Sequence, residues 1–243
     1  IALTHPVLFY PQGLYFGSYS LILRDKDMWI AYGNTLIYVA STTILMILTS
    51  VTAAYPLVNN KLAGRKFLVA YLLIPMYFSG GLIPTYLVMT KLGLYNNIWA
   101  IIIPGAVNIW NIILCHTYFR SIPEDMREAA KIDGANKWQT LWKVTIPNVM
   151  PSITICMFLT LTNGFKLFDQ NLALTGGQPY IINPDGTTVH TTEMLALNIY
   201  NTFYGQNANA RGTAQAKAVL FFILVAAIGL IQLSATRKKE VQQ

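Results

Sequence analysis

The sequence predicts an all-α polytopic transmembrane bundle, and three observations carry that prediction. The 243 residues are 54% hydrophobic and only 11% charged, with a mean hydropathy of +0.43. Soluble domains carry roughly 25% charged residues, so this surface cannot face water on all sides, and the same balance excludes a disordered chain. The apolar surplus is gathered into five runs, each near the ~20 residues that a helix needs to cross a bilayer. Basic residues, finally, fall between these runs rather than in a stripe with interleaved aromatics, so the net charge of +7 encodes orientation and not a nucleic-acid partner.

Residues 1–29 form a polar and aromatic lead with Pro6, Pro11, Gly13 and Gly17. The expected spans follow: Ile30–Ala54, Phe67–Thr90, Ile98–Phe119, Asn148–Phe168 and Ala214–Thr236. Pro75, Gly80, Gly81 and Pro84 interrupt the second span and mark either a hinge or the ordinary Gly and Pro content of membrane helices. An external loop spans residues 170–213, and its Glu193–Tyr204 stretch has apolar residues at helical spacing suited to the membrane interface. Residues 237–243 form a short tail. Cys115 and Cys156 both lie inside apolar runs and read as small buried hydrophobes.

Eleven of the seventeen Lys and Arg residues fall between the first two spans, between the third and fourth, and after the last. The positive-inside rule makes those segments cytoplasmic, with the C-terminus inside. An odd number of spans then puts Ile1 outside, so a further N-terminal span is expected ahead of it.

The cytoplasmic segment 120–147 reads as a helix–turn–helix. Ser121 and Glu124 have capping-box spacing, with Pro123 in the first turn. Gly134 after Asp133 suits a left-handed stop, and Asn136 with Gln139 offers a second cap. Pro147 is expected to end the second helix at the membrane. The hairpin exposes alanines, an acid, Trp138 and Trp142, as a docking surface would.

Within it, Glu128-Ala129-Ala130, Asp133-Gly134-Ala135 and Val144-Thr145-Ile146-Pro147 resemble the EAA loop of ABC importer permeases. Over nearly the whole chain the resemblance is to carbohydrate-uptake permeases of type I importers. Gly33-Asn34-Thr35-Leu36 and Gly80-Gly81-Leu82-Ile83-Pro84 are similar to permeases of complex oligosaccharide systems, and Leu174-Thr175-Gly176-Gly177 to the multiple-sugar and glycerol-phosphate branch. The resemblance implies that the hairpin seats in a separate ABC ATPase dimer. Glu128 would make a charge-assisted contact there, and Gly134 would permit the turn. It implies as further partners a second homologous permease, an extracytoplasmic solute-binding protein, membrane lipid and a carbohydrate substrate taken up by alternating access.

No Gly-x-x-x-x-Gly-Lys-Ser/Thr loop occurs, so ATP and Mg are expected on the partner ATPase, with no cofactor in this chain. His5, His116 and His190 fit no metal spacing, no nucleophilic triad stands out, and no catalytic residue is assigned. The resemblance also implies a central site lined by the spans on either side of the hairpin. Those spans supply Asn108, Trp110 and Asn111, then Asn163, Lys166 and Asp169. Amides and charges suit sugar hydroxyls and an aromatic face suits a pyranose ring, but the asparagines equally suit interhelical bridges, and Lys166 can pair with Asp169. Two other readings stay open: a permease for a non-sugar solute such as a phosphorylated polyol, and an ATP-independent carrier or channel.

Overall fold

The computed structural model describes residues 17–59, 62–78, 80–182, 184, 186, 188–205 and 210–237. Pro6, Pro11, Gly13, the expected preceding span and the tail beyond Arg237 lie outside the described residues. Among the described residues four helices are long and apolar enough to cross a membrane, and a bent helix pair makes a fifth crossing if it is one span.

The lead segment is partly helical. Helix α1 (Gly17–Arg24) buries Ile22, and Asp25 then caps α2 (Lys26–Leu57), its Oδ1 accepting from the backbone N–H of Asp27 at 3.1 Å. This helix therefore starts four residues before the apolar run, because the cap and not hydrophobicity fixes where the backbone turns. At 32 residues it is about 48 Å long. Ala31, Thr35, Tyr38, Thr42, Met46, Ser50, Ala54 and Leu57 are buried along it, at the three- and four-residue steps of one helix face. That face meets α5, α6, α9 and α11, so α2 is the central element of the bundle.

The expected second span is two helices, α3 (Arg65–Tyr77) and α4 (Leu82–Lys91), meeting at 113°. Gly81 sits between them at φ 79, a conformation open to glycine at little steric cost. The Gly and Pro cluster thus marks a break.

The third span is also broken, which the sequence reading did not anticipate. Helix α5 (Trp99–Ala106) stops at Val107, and α6 (Ile109–Ser121) restarts from Asn108, whose side chain accepts the Asn111 N–H at 3.2 Å. Just before the break, Gly105 lies against α2: a Cβ there would stand 2.6 Å from Thr42 Cγ2. Gly105→Ala is expected to cost about 1–3 kcal/mol through overpacking, read as lower thermal stability of the detergent-solubilised chain. Gly229→Ala, whose nearest neighbour would be 3.7 Å away, is expected to be close to neutral.

Next come α7 (Glu124–Ile132) and α8 (Lys137–Thr140), then a π-helical segment Leu141–Thr145 that runs directly into α9 (Ile146–Phe165). Pro147 therefore does not end a helix, contrary to the expectation from sequence. It occupies the first turn of α9, where its missing N–H and ring are tolerated. The π segment just upstream bonds the Ile146 N–H to Leu141 O, five residues back, and so carries the helix past the proline. Cys115 and Cys156 are buried as expected, but they also touch, with their sulfurs 3.9 Å apart and no disulfide.

After α10 (Phe168–Leu174), β1 (Tyr180–Ile182) and β2 (Thr188–His190) form an antiparallel hairpin with Ile181 opposite Val189. Helix α11 (Leu195–Phe203) follows, and α12 (Ala210–Arg237) completes the bundle. The α11 stretch does not lie loosely at the surface. Met194, Leu195 and Leu197 are fully buried, and α11 packs on α2 and α12.

Two of the core clusters sit at opposite ends of α2. One joins Met46, Ala54 and Leu57 to Ile112, Phe119, Ile122 and Val149 beside the α7–α8 hairpin. The other joins Met28, Ala31 and Tyr32 to Ile22, Leu195 and Ala216 at the far end.

Candidate functional site

The α7–α8 hairpin is built from local signals. At its start Ser121 donates its hydroxyl to Tyr118 O and so belongs to the end of α6, rather than capping α7. The turn follows the pattern expected of Gly134, which adopts φ 78. The Asp133 N–H reaches Ala129 O at 2.9 Å and the Ala135 N–H reaches Ala130 O at 2.9 Å, satisfying two carbonyls at the end of α7. Asn136 and Gln139 then cap α8 reciprocally: Gln139 N–H to Asn136 Oδ1 at 2.8 Å, and Asn136 N–H to Gln139 Oε1 at 3.0 Å.

This places the motif residues differently from one another. Ala130 is buried and α7 rests on the π-helical segment, while Glu128, Ala129, Asp133 and Gly134 face outward and Ala135 is half-buried. Ile132 is 86% exposed at the tip. The hairpin is rigid through its caps, continuous with a span through the π segment, and presents a small apolar surface beside a carboxylate. Such a surface can receive a protein partner and pass its movement into the bundle.

The pathway candidates are brought partly together. Asn111 is buried and donates through Nδ2 to Thr160 Oγ1 at 3.1 Å and to Met46 Sδ at 3.0 Å. It thereby ties α2, α6 and α9 together, which gives it a structural bridging role. That contact sets the level of its neighbours. Asn108 lies one turn from Asn111, and Asn163 lies one turn from Thr160 in the oppositely running α9; both are exposed. Trp110 and Lys166 are exposed as well. Lys166 and Asp169 form no ion pair between them, so the anticipated pairing is not made among the described residues.

The strongest polar cluster was missed. At the end of the bundle away from the hairpin, a cavity of about 870 Å³ is lined by Asp25, Asp27, His190, Glu193, Asn201 and Lys217 among others. The Lys217 ammonium, its side chain only 3% exposed, contacts Asp25 Oδ2 at 2.7 Å, Asn198 Oδ1 at 2.8 Å and Thr202 Oγ1 at 3.0 Å. Glu193 in turn accepts from Asn198 at 3.1 Å and Asn201 at 2.6 Å. Asn34 joins α2 to the same region by donating to the carbonyls of Thr191 and Glu193, both at 3.0 Å. A lysine four residues into an apolar run was the available signal, since a charge in such a run needs a partner. Among the described residues no group of His, Cys, Asp and Glu is arranged to hold a metal ion.

Comparison with known proteins agrees with this architecture. Residues 34–238 match the family described as "Binding-protein-dependent transport system inner membrane component". The chain is 43% identical over 149 residues to a probable starch degradation products transport system permease protein, AmyD, of Thermoanaerobacterium thermosulfurigenes, covering 59% of this chain and 46% of that protein. It is 30% identical over 249 residues to the multiple sugar-binding transport system permease protein MsmF of Streptococcus mutans, covering 92% and 81%. The chain thus spans about half the length of the first relative and most of the second. Among solved structures, a bacterial ABC transporter involved in the import of the acidic polysaccharide alginate superposes with a TM-score of 0.77 at 28% identity, over 99% of this chain and 85% of that one. The matched stretch holds the hairpin and all the crossings from α3 to α12, and the chain belongs to the family of binding-protein-dependent transport system inner membrane components.

Proposed function

We propose that this chain is a permease subunit of an ATP-driven importer that takes up a carbohydrate by alternating access. The observation that carries the reading is the capped α7–α8 hairpin, exposed at its tip and continuous with a span, inside a chain of this family. The basic residues Arg120, Arg127, Lys131, Lys137 and Lys143 between the third and fourth spans support a cytoplasmic side for it, and those after the last span support the same side for the C-terminus. Glu128, Ala129, Ala130, Asp133, Gly134 and Ala135 would form the seat for a separate ABC ATPase dimer, with Pro147 at the base of the following span. ATP and Mg would be bound there. Closure of that dimer would pull the hairpin, and the spans joined to it would rock against a second permease.

A solute-binding protein on the opposite face would deliver the substrate. Carbohydrate is supported by the names of the relatives, which concern starch products, multiple sugars and alginate. It is supported also by amides at one level beside the α5–α6 break, where Asn108 and Asn163 with Trp110 offer hydroxyl partners and a ring face. Gentle purification of the tagged chain, followed by mass spectrometry, tests the proposal. A second permease and an ATPase are expected to accompany it. Recovery of the chain alone, monodisperse and stable, would favour an ATP-independent carrier instead.

A further inference from the structure

The cavity at the end of the bundle away from the hairpin has a wall fixed by its own bonds and an interior richer in acceptors than in donors. Helices α1, α2, α11 and α12 and both β-strands enclose its volume of about 870 Å³, within the roughly 300–1,000 Å³ of small-molecule sites. The one ammonium on the wall is fully engaged. Lysine has three N–H donors, and those of Lys217 go to Asp25, Asn198 and Thr202. The amides of Asn198 and Asn201 donate to Glu193. These bonds hold the wall in place before any ligand arrives.

Acceptors remain open in front of it. Within the described residues no hydrogen bond or ion pair holds the Asp27 carboxylate, and nothing donates to Asn201 Oδ1. Asp25, Asp27 and Glu193 face the cavity against Lys217 and His190. Other cations nearby do not redress this balance: Arg24 and Lys26 are exposed and do not line the cavity, and Arg211 lies 5.9 Å from the centre of the Phe203 ring. Aromatic surface is present too. Tyr180, 47% exposed, meets the His190 ring edge-to-face with centroids 4.8 Å apart. A Cβ on Gly177 would stand 2.9 Å from His190 Nδ1, so glycine at that position leaves the room in which the ring sits.

We propose that this cavity binds a neutral saccharide, with Asp27 and Asn201 accepting from its hydroxyls and Tyr180 covering a ring face. Hydroxyls can donate to such a wall. A carboxylate or phosphate can only accept, and beside Asp27 and Glu193 it meets like charge at a cost of several kcal/mol. Among the described residues no metal site competes for these carboxylates. No residue of α5, α6 or α9 lines the cavity, so the site is separate from the level of Asn108 and Asn163. The inference deepens the importer reading and rests on it for the direction of transport: the sugar would pause here on the face remote from the ATPase. It also narrows the substrate to a neutral sugar, against a uronate or a phosphorylated polyol.

The test measures binding to the purified chain in lipid nanodiscs, free of glycosidic detergent. Maltotriose, cellotriose and raffinose serve as neutral probes and trigalacturonate as the anionic one. At least one neutral probe is expected to bind at millimolar concentration, and trigalacturonate about tenfold more weakly or not at all. Asp27→Asn is expected to weaken the neutral probe about tenfold or more, the loss of one charge-assisted hydrogen bond. No contact of the fold rests on that carboxylate, so the variant should unfold close to the wild-type temperature. Asp125→Asn, the same charge change on the hairpin, is expected to stay within twofold of wild type. A diazirine-bearing form of the bound probe should label peptides that hold Tyr180, His190 or Asn201. Absence of neutral binding, equal or tighter binding of trigalacturonate, an Asp27→Asn variant that binds normally, or label confined to α6 and α9 overturns the proposal. Binding is read on the chain alone, so failure to recover an ATPase sinks the importer reading without touching this result. Recovery of the ATPase with no sugar in the cavity sinks only this one.

Discussion

Glu128→Lys is expected to abolish uptake, by 100-fold or more, while the chain still reaches the membrane at its normal amount. Glu128 is exposed on α7, and no hydrogen bond within the described residues holds its side chain. Its replacement therefore removes nothing from the fold. At a docking surface the same change inverts a charge that the partner is built to meet. Truncating one side of a buried charge contact costs about 2–5 kcal/mol, and reversal adds repulsion, so the affinity loss exceeds about 100-fold. Glu128→Gln, which keeps the shape and an acceptor, is expected to fall between. Solute uptake in whole cells and ATPase recovery on the tagged chain measure the two effects. Normal uptake with Lys at this position would remove Glu128 from the coupling machinery.

The second large effect lies at the other end of the bundle. Asp25 has two duties: its Oδ1 caps α2, and its Oδ2 holds the Lys217 ammonium. Asp25→Ala would leave a nearly fully buried cation without its counter-charge, a loss of about 3–5 kcal/mol. It would also remove an N-cap worth about 1 kcal/mol. Lys217→Met is expected to cost clearly less. The methionine fills the apolar volume, and Asp25, with its side chain 31% exposed, can still reach water. Thermal unfolding of the detergent-solubilised variants should rank them in that order, with the double variant close to Lys217→Met. The opposite ranking would mean that the lysine's bonds to Asn198 and Thr202, and not the ion pair, hold this end together.

Much of the fold was legible because bilayers impose simple rules on sequence. Apolar runs gave the positions of the crossings, and a break at Gly80, Gly81 and their prolines was one of the two readings open there. The hairpin was readable in detail because its turn and second cap use residues within a few positions of one another: Gly134 at positive φ, Asn136 with Gln139. Pro147 misled because a proline's usual effect, ending a helix, was overridden by the π segment behind it.

Less of the candidate site could be read. Asn111 was open in the sequence to a sugar ligand and to an interhelical bridge alike, and the partners it bonds on α2 and α9 are 65 and 49 residues away. The polar cavity depends on pairings between residues as distant as Asp25 and Lys217, which no local pattern contains. Cys115 and Cys156 likewise met only through the register of α6 against α9.

The length of α2 has a mechanical consequence. It is tied into the core at both ends, to the hairpin side through Met46, Ala54 and Leu57 and to the far side through Met28, Ala31 and Tyr32. A helix of about 48 Å can act as a lever arm: tilting it by about 5° at one end displaces the other by about 4 Å, and its contacts with α5, α6, α9 and α11 would have to shift with it. On the proposed importer reading, a small stroke at the hairpin end of α2 would become a displacement of a few ångströms at its far end.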